Sequence, residues 1–332
     1  MSNEFFTLKP ANMKFLIQLI LLCGISPLLM GQSWTTVETD NTCTERHECA
    51  AAGIGEKLYL LGGRGMKPVE EYDPATNTWK TMAVPPFEIH HFQAVAYNEK
   101  IYVIGALSGQ YPHETPLDHV YIFDPKKNSW EKGHPIPEER RRGAAGLVVK
   151  DDKFYLVGGI KDGHWADNRD YFDEYDPATG KWTPLPNLPR VRDHFQAVVL
   201  DNQIFAVGGR KSFAKEGHNF DLTYPEVDVF DFETQSWNTL PEHHNIPTER
   251  AGGSTIAYQD GFILVGGESS SQETAHSEVE YYQPGKGWKL LNQLNRGRHG
   301  FQLVHINDFY YVGAGCGNRG GSPELNSLEV MK

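Results

Sequence analysis

The sequence predicts an all-β protein in which one four-stranded antiparallel unit is repeated six times and closed into a ring. Three observations predict it. First, the stretch Arg192 to Gly209 (RDHFQAVVLDNQIFAVGG) has a charged start, two apolar runs around a polar turn, and a glycine pair, and variants of it occur six times. Second, the pair recurs as Gly62-Gly63, Gly158-Gly159, Gly208-Gly209 and Gly266-Gly267, and in altered form as Gly105-Ala106 and Ala314-Gly315. Third, a tryptophan follows each of the first five pairs. Trp79, Trp130, Trp182, Trp237 and Trp288 stand 51, 52, 55 and 51 residues apart. A fixed period of that length marks a repeat architecture.

Each part of the repeat has a physical reason. Runs such as Ile101 to Ile104 and Ile204 to Val207 are too short for helices and rich in β-branched and aromatic residues. They are apolar on both faces, as strands between neighbouring sheets must be. Asn98-Glu99-Lys100, Asp151-Asp152-Lys153 and Gln259-Asp260-Gly261 supply the turns. The glycine pairs permit positive φ and close backbone approach at strand ends. The tryptophan segments read EYDPATNTW (Glu71 to Trp79), IFDPKKNSW (Ile122 to Trp130), EYDPATGKW (Glu174 to Trp182), VFDFETQSW (Val229 to Trp237) and EYYQPGKGW (Glu280 to Trp288). Gly-Gly, Tyr-Asp and Trp landmarks at this period resemble the kelch repeat, and the resemblance covers nearly all of the chain after residue 33. It implies a six-bladed kelch β-propeller with four-stranded antiparallel blades.

The termini are read next. Residues 1–32 have the layout of a secretory signal peptide: Lys14, an apolar run from Phe15 to Cys23, then Pro27 and a small residue at Gly31. The run is too short to span a bilayer, so the expectation is an exported protein, secreted or periplasmic, with residues 33–332 forming the propeller. The sixth unit reaches a third strand at Ser327 to Val330 and ends without a tryptophan. Trp34, in SWTTVE (Ser33 to Glu38), supplies the missing one. Residues 33–40 are therefore expected to form the outer strand of the last blade, closing the ring between its two ends.

Composition narrows the partners. Cleavage would remove Lys9, Lys14 and Glu4, taking the formal net charge from −12 to −13. An acidic surface repels phosphate backbones, so no nucleic-acid partner is expected. Neither a cofactor nor a metal is expected, and the protein is expected to be a monomer. Cys43, Cys49 and Cys316 follow the signal peptide. Cys43–Cys316 would staple the closure, Cys43–Cys49 is the local alternative, and three free thiols is the third.

The working face follows from strand direction. In a four-stranded meander, the loops after the glycine pairs leave from the same end as the connections between blades. Those loops are long and dissimilar: 107–118, 161–171, 210–225, 268–276 and 316–325. Variable loops on a regular scaffold concentrate binding residues. The inner strands start on that face with Arg46-His47-Glu48, Ile89-His90-His91, Arg142-Gly143-Ala144, Arg192-Asp193-His194, Arg250-Ala251-Gly252 and Arg298-His299-Gly300. Arg64 and Arg210 follow their glycine pairs directly. The expected ligand site is this basic ring: Arg46, Arg64, Arg142, Arg192, Arg210, Arg250 and Arg298, with His47, Glu48, His90, His91, Asp193, His194 and His299. Arginine forks suit carboxylates. The competing reading pairs the arginines with Glu45, Glu48, Asp193 and Glu249 as scaffold.

Two further patterns bear on the site. Phe92-Gln93, Phe195-Gln196 and Phe301-Gln302 alternate with small residues; their glutamines are expected to bond backbone between blades, with a roughly three-fold glutamine ring in the channel as the competing reading. The long loops carry Tyr111, His164, Trp165, Phe213, Phe220 and Tyr224, of which His164 and Trp165 join the expected site. Aromatic side chains there suit sugar rings or a protein partner. Three of the mouth histidines could take zinc or copper only if they converged, which spacing around a channel disfavours. No HExxH, CxxC, GxSxG or GxxxxGK[ST] occurs. Kelch proteins also include copper radical oxidases, whose Tyr-His pair has no counterpart here, and exported sialic-acid mutarotases. The expected function is accordingly an exported protein binding a glycan or protein ligand at the channel mouth. The alternative is an isomerase acting on an acidic sugar there.

Overall fold

A computed structural model describes residues 33–332. The expected signal peptide, 1–32, lies outside the described residues. Six four-stranded antiparallel sheets form the blades of a β-propeller. Blade 4 is typical: Gln196–Leu200 innermost, then Gln203–Val207, Asp228–Asp231 and Ser236–Thr239. The inner strands of blades 1, 2, 3, 5 and 6 are Cys49–Ile54, Ala94–Tyr97, Gly146–Lys150, Ser254–Tyr258 and Leu303–Ile306. The second strands are buried almost throughout, as in Gly261–Val265, because a blade has neighbours on both faces.

Closure is as expected. Thr35–Val37 pairs antiparallel with Leu328–Met331, with Thr35 opposite Val330 and Val37 opposite Leu328. Trp34 is buried between the last two blades among Tyr281, Leu294, Val312 and Met331. The other repeat tryptophans each meet the aromatic of their own third strand, as Trp182 does with Tyr175 at 4.8 Å between ring centroids. At the second glycine of a pair the backbone is left-handed. Gly159 has φ of +112°, and a Cβ there would meet the Gly143 carbonyl at 2.8 Å.

The five repeated arginines are corrected by the structure. Arg46, Arg142, Arg192, Arg250 and Arg298 are at most 1% exposed and do not face the channel mouth. Each donates to the carbonyl of the first residue of its own glycine pair: Gly62, Gly158, Gly208, Gly266 and Ala314. Each also pairs with a buried carboxylate on the third strand of its blade: Glu70, Asp173, Asp228, Glu280 and Glu329. None of the acids expected from the strand ends serves as that partner, and Glu45 and Glu249 are exposed. A buried guanidinium needs a buried anion and bonded N–H groups, and the third strand lies directly behind it. Blade 2 carries Ile89 at the arginine position and Tyr121 at the acid position, both in an apolar cluster. The two halves of the pair are replaced together.

The glutamines behave as expected. Gln93 donates to Ala197 O and accepts from the Leu147 and Ala197 amides. Gln196 donates to Phe301 O and accepts from Ser254 and Thr255. Gln302 donates to Ala94 O and accepts from the Ala51 and Ala94 amides. Each one thus crosses the small-residue blade that separates it from the next glutamine blade, which is why the glutamines alternate with small residues.

Cys43, Cys49 and Cys316, the three cysteines among the described residues, are buried free thiols, so neither candidate disulfide is formed. The thiol of Cys43 donates to Asn326 O at 3.4 Å and that of Cys49 to Gly300 O at 3.6 Å. Burial pushes the Cys43 and Cys49 thiols up to about 12, far from the thiolate that alkylating reagents need. Cys43, Cys49 and Cys316 are expected to resist iodoacetamide in the native protein, and each of the three to take up one equivalent once the protein is unfolded without reductant. A cross-linked peptide pair in non-reducing mass spectrometry would contradict this. Among the described residues no helix is long and apolar enough to cross a membrane.

Candidate functional site

The inner-strand starts build the channel mouth. Glu48, His91, Ala144 and His194 have φ of 50–53°, and Gly252 and Gly300 take the same left-handed backbone at 65° and 63°. The conformation is uncommon for side chains other than glycine. What holds it is a closed circle of inter-blade hydrogen bonds. The amides of His91, Ala144, His194, Gly252 and Gly300 each donate to the carbonyl of the equivalent residue one blade earlier, at 2.7–2.9 Å, and the Cys49 amide donates to Gly300 O at 3.1 Å. This circle narrows the channel and forms the floor of the site.

Above it lies a cavity of about 460 Å³ lined by His47, Glu48, Arg64, His91, Gln110, Tyr111, His164, Arg210, Asn219, Phe220, Glu268 and His299. Of the expected site residues, it brings together His47, Glu48, Arg64, His91, His164, Arg210 and His299. His194 lines the constriction directly beneath. His90 and Asp193 are buried behind it and act through neighbours: the His90 ring is 2.6 Å from the His91 ring, nitrogen to nitrogen, and Asp193 bonds His194. Trp165 is corrected. It is half-buried and packs on His113, with ring centroids 4.8 Å apart, without lining the cavity. The two flanking residues of the hairpin turn diverge, so only His164 enters.

Charges in the cavity are paired in alternation. Arg64 bonds Glu114, and Arg210 donates to Glu268 at 2.6 Å. His299 lies between two carboxylates, with Nδ1 3.5 Å from Glu48 and Nε2 3.4 Å from Glu268. Burial opposes its charge, but Glu268 outweighs it, together with bonds to Cys316 and Glu48, and raises His299 well above the usual imidazole range. Burial likewise opposes ionisation of Glu48, yet the imidazoles around it, of which His299 is the one held charged, keep its carboxyl well below the carboxylate range. Burial lowers His91 and His194, while their carboxylate neighbours only partly offset it.

Three imidazoles that could hold a metal converge at the floor: His91, His164 and His194, each offering a ring nitrogen within 4.8 Å of the others. The sequence reading missed this because His164 reaches the ring from a loop. The hairpin of Ile160–Asp162 and Ala166–Asn168 carries it over blade 3, whose own inner-strand start, Ala144, has no polar side chain. Gly163, with φ of +48°, lets Glu114 close against the turn where a Cβ would stand. Glu114 and Glu268 were also missed. Glu268 follows its glycine pair as Arg64 and Arg210 do, so repeat position could have found it; nothing in the sequence singles out Glu114.

A closed ring of six such blades, with its site on the long-loop face, defines a kelch-type propeller. The chain belongs to the kelch-repeat family: it matches the KLHDC2/KLHL20/DRC7 Kelch-repeats domain over residues 28–209 and 91–315. It is 25% identical over 306 residues to Kelch-like protein terF of Aspergillus terreus, across 72% of this chain and 64% of that protein. It is 24% identical over 288 residues to Kelch-like protein 23 of Homo sapiens, across 82% and 48% respectively. The chain thus spans about half to two thirds of the length of these relatives. Among solved structures, that of YjhT superposes with a TM-score of 0.72 at 18% identity, over 87% of this chain and 95% of that one, a likeness of fold.

Proposed function

We propose that the protein is an exported binding protein that takes a glycan unit in the mouth cavity. Kelch propellers generally bind proteins; a concave cavity of about 460 Å³ is the observation that favours a small ligand instead, since pockets for such ligands run to about 300–1,000 Å³. Its chemistry supports a sugar. Gln110, Asn219, Arg64 and Glu48 offer donors and acceptors for hydroxyls, and Tyr111 and Phe220 offer aromatic surface for a pyranose face. Tyr111 is 54% exposed; its hydroxyl donates to Asn219 and its ring meets that of His164 at 5.3 Å between centroids, and the exposed part of the ring is open to stacking.

The test is a glycan array followed by titration of the best binder. Tyr111→Ala is expected to weaken binding by about 2–12-fold, the worth of an aromatic contact of about 0.5–1.5 kcal/mol, with an unchanged melting midpoint. Arg64→Ala is expected to cost more for an acidic glycan than for a neutral one. Absence of any glycan binding, or equal binding by Tyr111→Ala, would refute the reading.

One observation favours a second reading, isomerisation of an acidic sugar in the same cavity. His299 held protonated beside the ionised Glu48 places an acid and a base together. Faster equilibration of sialic-acid anomers with the protein added would support it.

A further inference from the structure

The three imidazoles at the cavity floor come from three blades: His91 from blade 2, His164 from the blade 3 loop and His194 from blade 4. Their ring centroids are 4.6–5.0 Å apart. The outward-facing nitrogen of each is fixed by a different partner. His194 Nδ1 bonds Asp193, whose carboxylate also accepts from the Ser212 hydroxyl and amide at 2.6 and 2.8 Å and from Asn168. His164 Nδ1 bonds Glu114 at 2.9 Å, and Glu114 is held by Arg64. His91 Nδ1 is 2.6 Å from His90 Nδ1, and His90 Nε2 is 3.0 Å from Gly109 O.

Proton accounting then fixes the tautomers. Carboxylates only accept, so Nδ1 of His164 and of His194 carries the proton. A carbonyl only accepts, so His90 donates from Nε2; its Nδ1 accepts, and His91 donates from Nδ1. A neutral imidazole has one N–H. All three Nε2 atoms therefore present lone pairs. Those of His164 and His194 face each other at 3.0 Å, a repulsive arrangement without a cation between them. That of His91 is buried without a hydrogen-bond partner, its nearest carboxylate oxygen, on Glu48, being 3.5 Å away. One added proton could bridge only two of the three nitrogens. A metal ion satisfies all three.

We propose that His91, His164 and His194 hold one divalent transition-metal ion, of the zinc or copper class, through their Nε2 atoms, with an open coordination position toward the cavity. Three imidazoles suit these ions, and three protein ligands leave a fourth position for water or a ligand oxygen. Zn–N bonds of about 2.0–2.1 Å require modest closure of the His91 ring toward the other two. The carboxylates on the His164 and His194 Nδ1 atoms are the outer-shell partners that orient metal-bound histidines. His299, His47 and His90 take no part, since each is committed to a partner elsewhere: Gly320 O, Glu324 and Gly109 O.

The experiment titrates the chelator-stripped full chain with Zn²⁺ by calorimetry and with Co²⁺ by visible absorption, with no glycan present. This keeps its failure separate from failure of the glycan reading. One ion per chain with submicromolar affinity is expected, and Co²⁺ should give the intense ligand-field bands of a low-coordinate imidazole site. His164→Ala, in a surface loop where folding is least at risk, should weaken binding at least 100-fold. Glu114→Gln should weaken it about 10–100-fold, as loss of an outer-shell partner does. The exposed His305→Ala should bind as the parent does. Melting curves in metal-free buffer should show His164→Ala folded. No stoichiometric binding by the parent, or binding that His164→Ala leaves intact, overturns the site.

Discussion

Arg250→Ala is expected to destabilise the propeller by about 3–5 kcal/mol, because it strands a buried carboxylate. Arg250 donates to Gly266 O and Thr248 O at 2.6 Å and to Leu264 O at 3.1 Å, and it pairs with Glu280 at 2.6 Å. Arg250 and Glu280 are both buried, and of these partners only Thr248 is partly exposed. For a chain of this size the melting midpoint should fall on the order of 10 °C. Blade 2 indicates the compensation. With Ile89 and Tyr121 in place of the pair, it packs apolar side chains, and replacing a buried ion pair whole is often neutral. The double variant Arg250→Ile with Glu280→Tyr should therefore recover most of the loss, where each single change does not. Thermal melts of the three variants decide it. Single variants that melt with the parent would show that the pair contributes nothing, and that the arginines are repeated only by duplication.

Removing Ser33 to Glu38 is expected to abolish cooperative folding or to cause aggregation. The deletion takes away the outer strand of blade 6, leaving Leu328–Met331 as an open edge. It also removes Trp34, whose truncation alone should cost about 3–5 kcal/mol as a large side chain lost from a core. Trp34→Ala in the full chain separates the two contributions: it should melt lower but still cooperatively. A truncated protein with the parent's melting midpoint would mean that the ring does not depend on this closure.

The legible parts share one property. Blade number, strand order, closure by Trp34 and the face that gathers the long loops all follow from a period of about fifty residues, and periodicity is carried by the chain itself. The glutamine alternation was legible for the same reason: Gln93, Gln196 and Gln302 recur every second blade and need small residues between them. The arginines were found by that logic and misjudged by it. Repeat position says that Arg46, Arg142, Arg192, Arg250 and Arg298 are equivalent. It does not say which way their side chains run. Each turns outward along its blade to the third-strand acid, where two charges desolvated together cost less than one left alone.

What the sequence by itself determined is the scaffold, because a repeated hydrophobic and turn pattern admits few ways to bury itself. What only the tertiary structure decided is the site, because the site breaks the repeat. His164 and Glu114 lie in loops of different blades, Glu48 and Glu268 sit at different repeat positions, and their meeting depends on loop paths that no period encodes. The convergence of His91, His164 and His194 is of this kind: two members stand at equivalent repeat positions two blades apart, and the third fills, from a loop, the place where blade 3 supplies only Ala144.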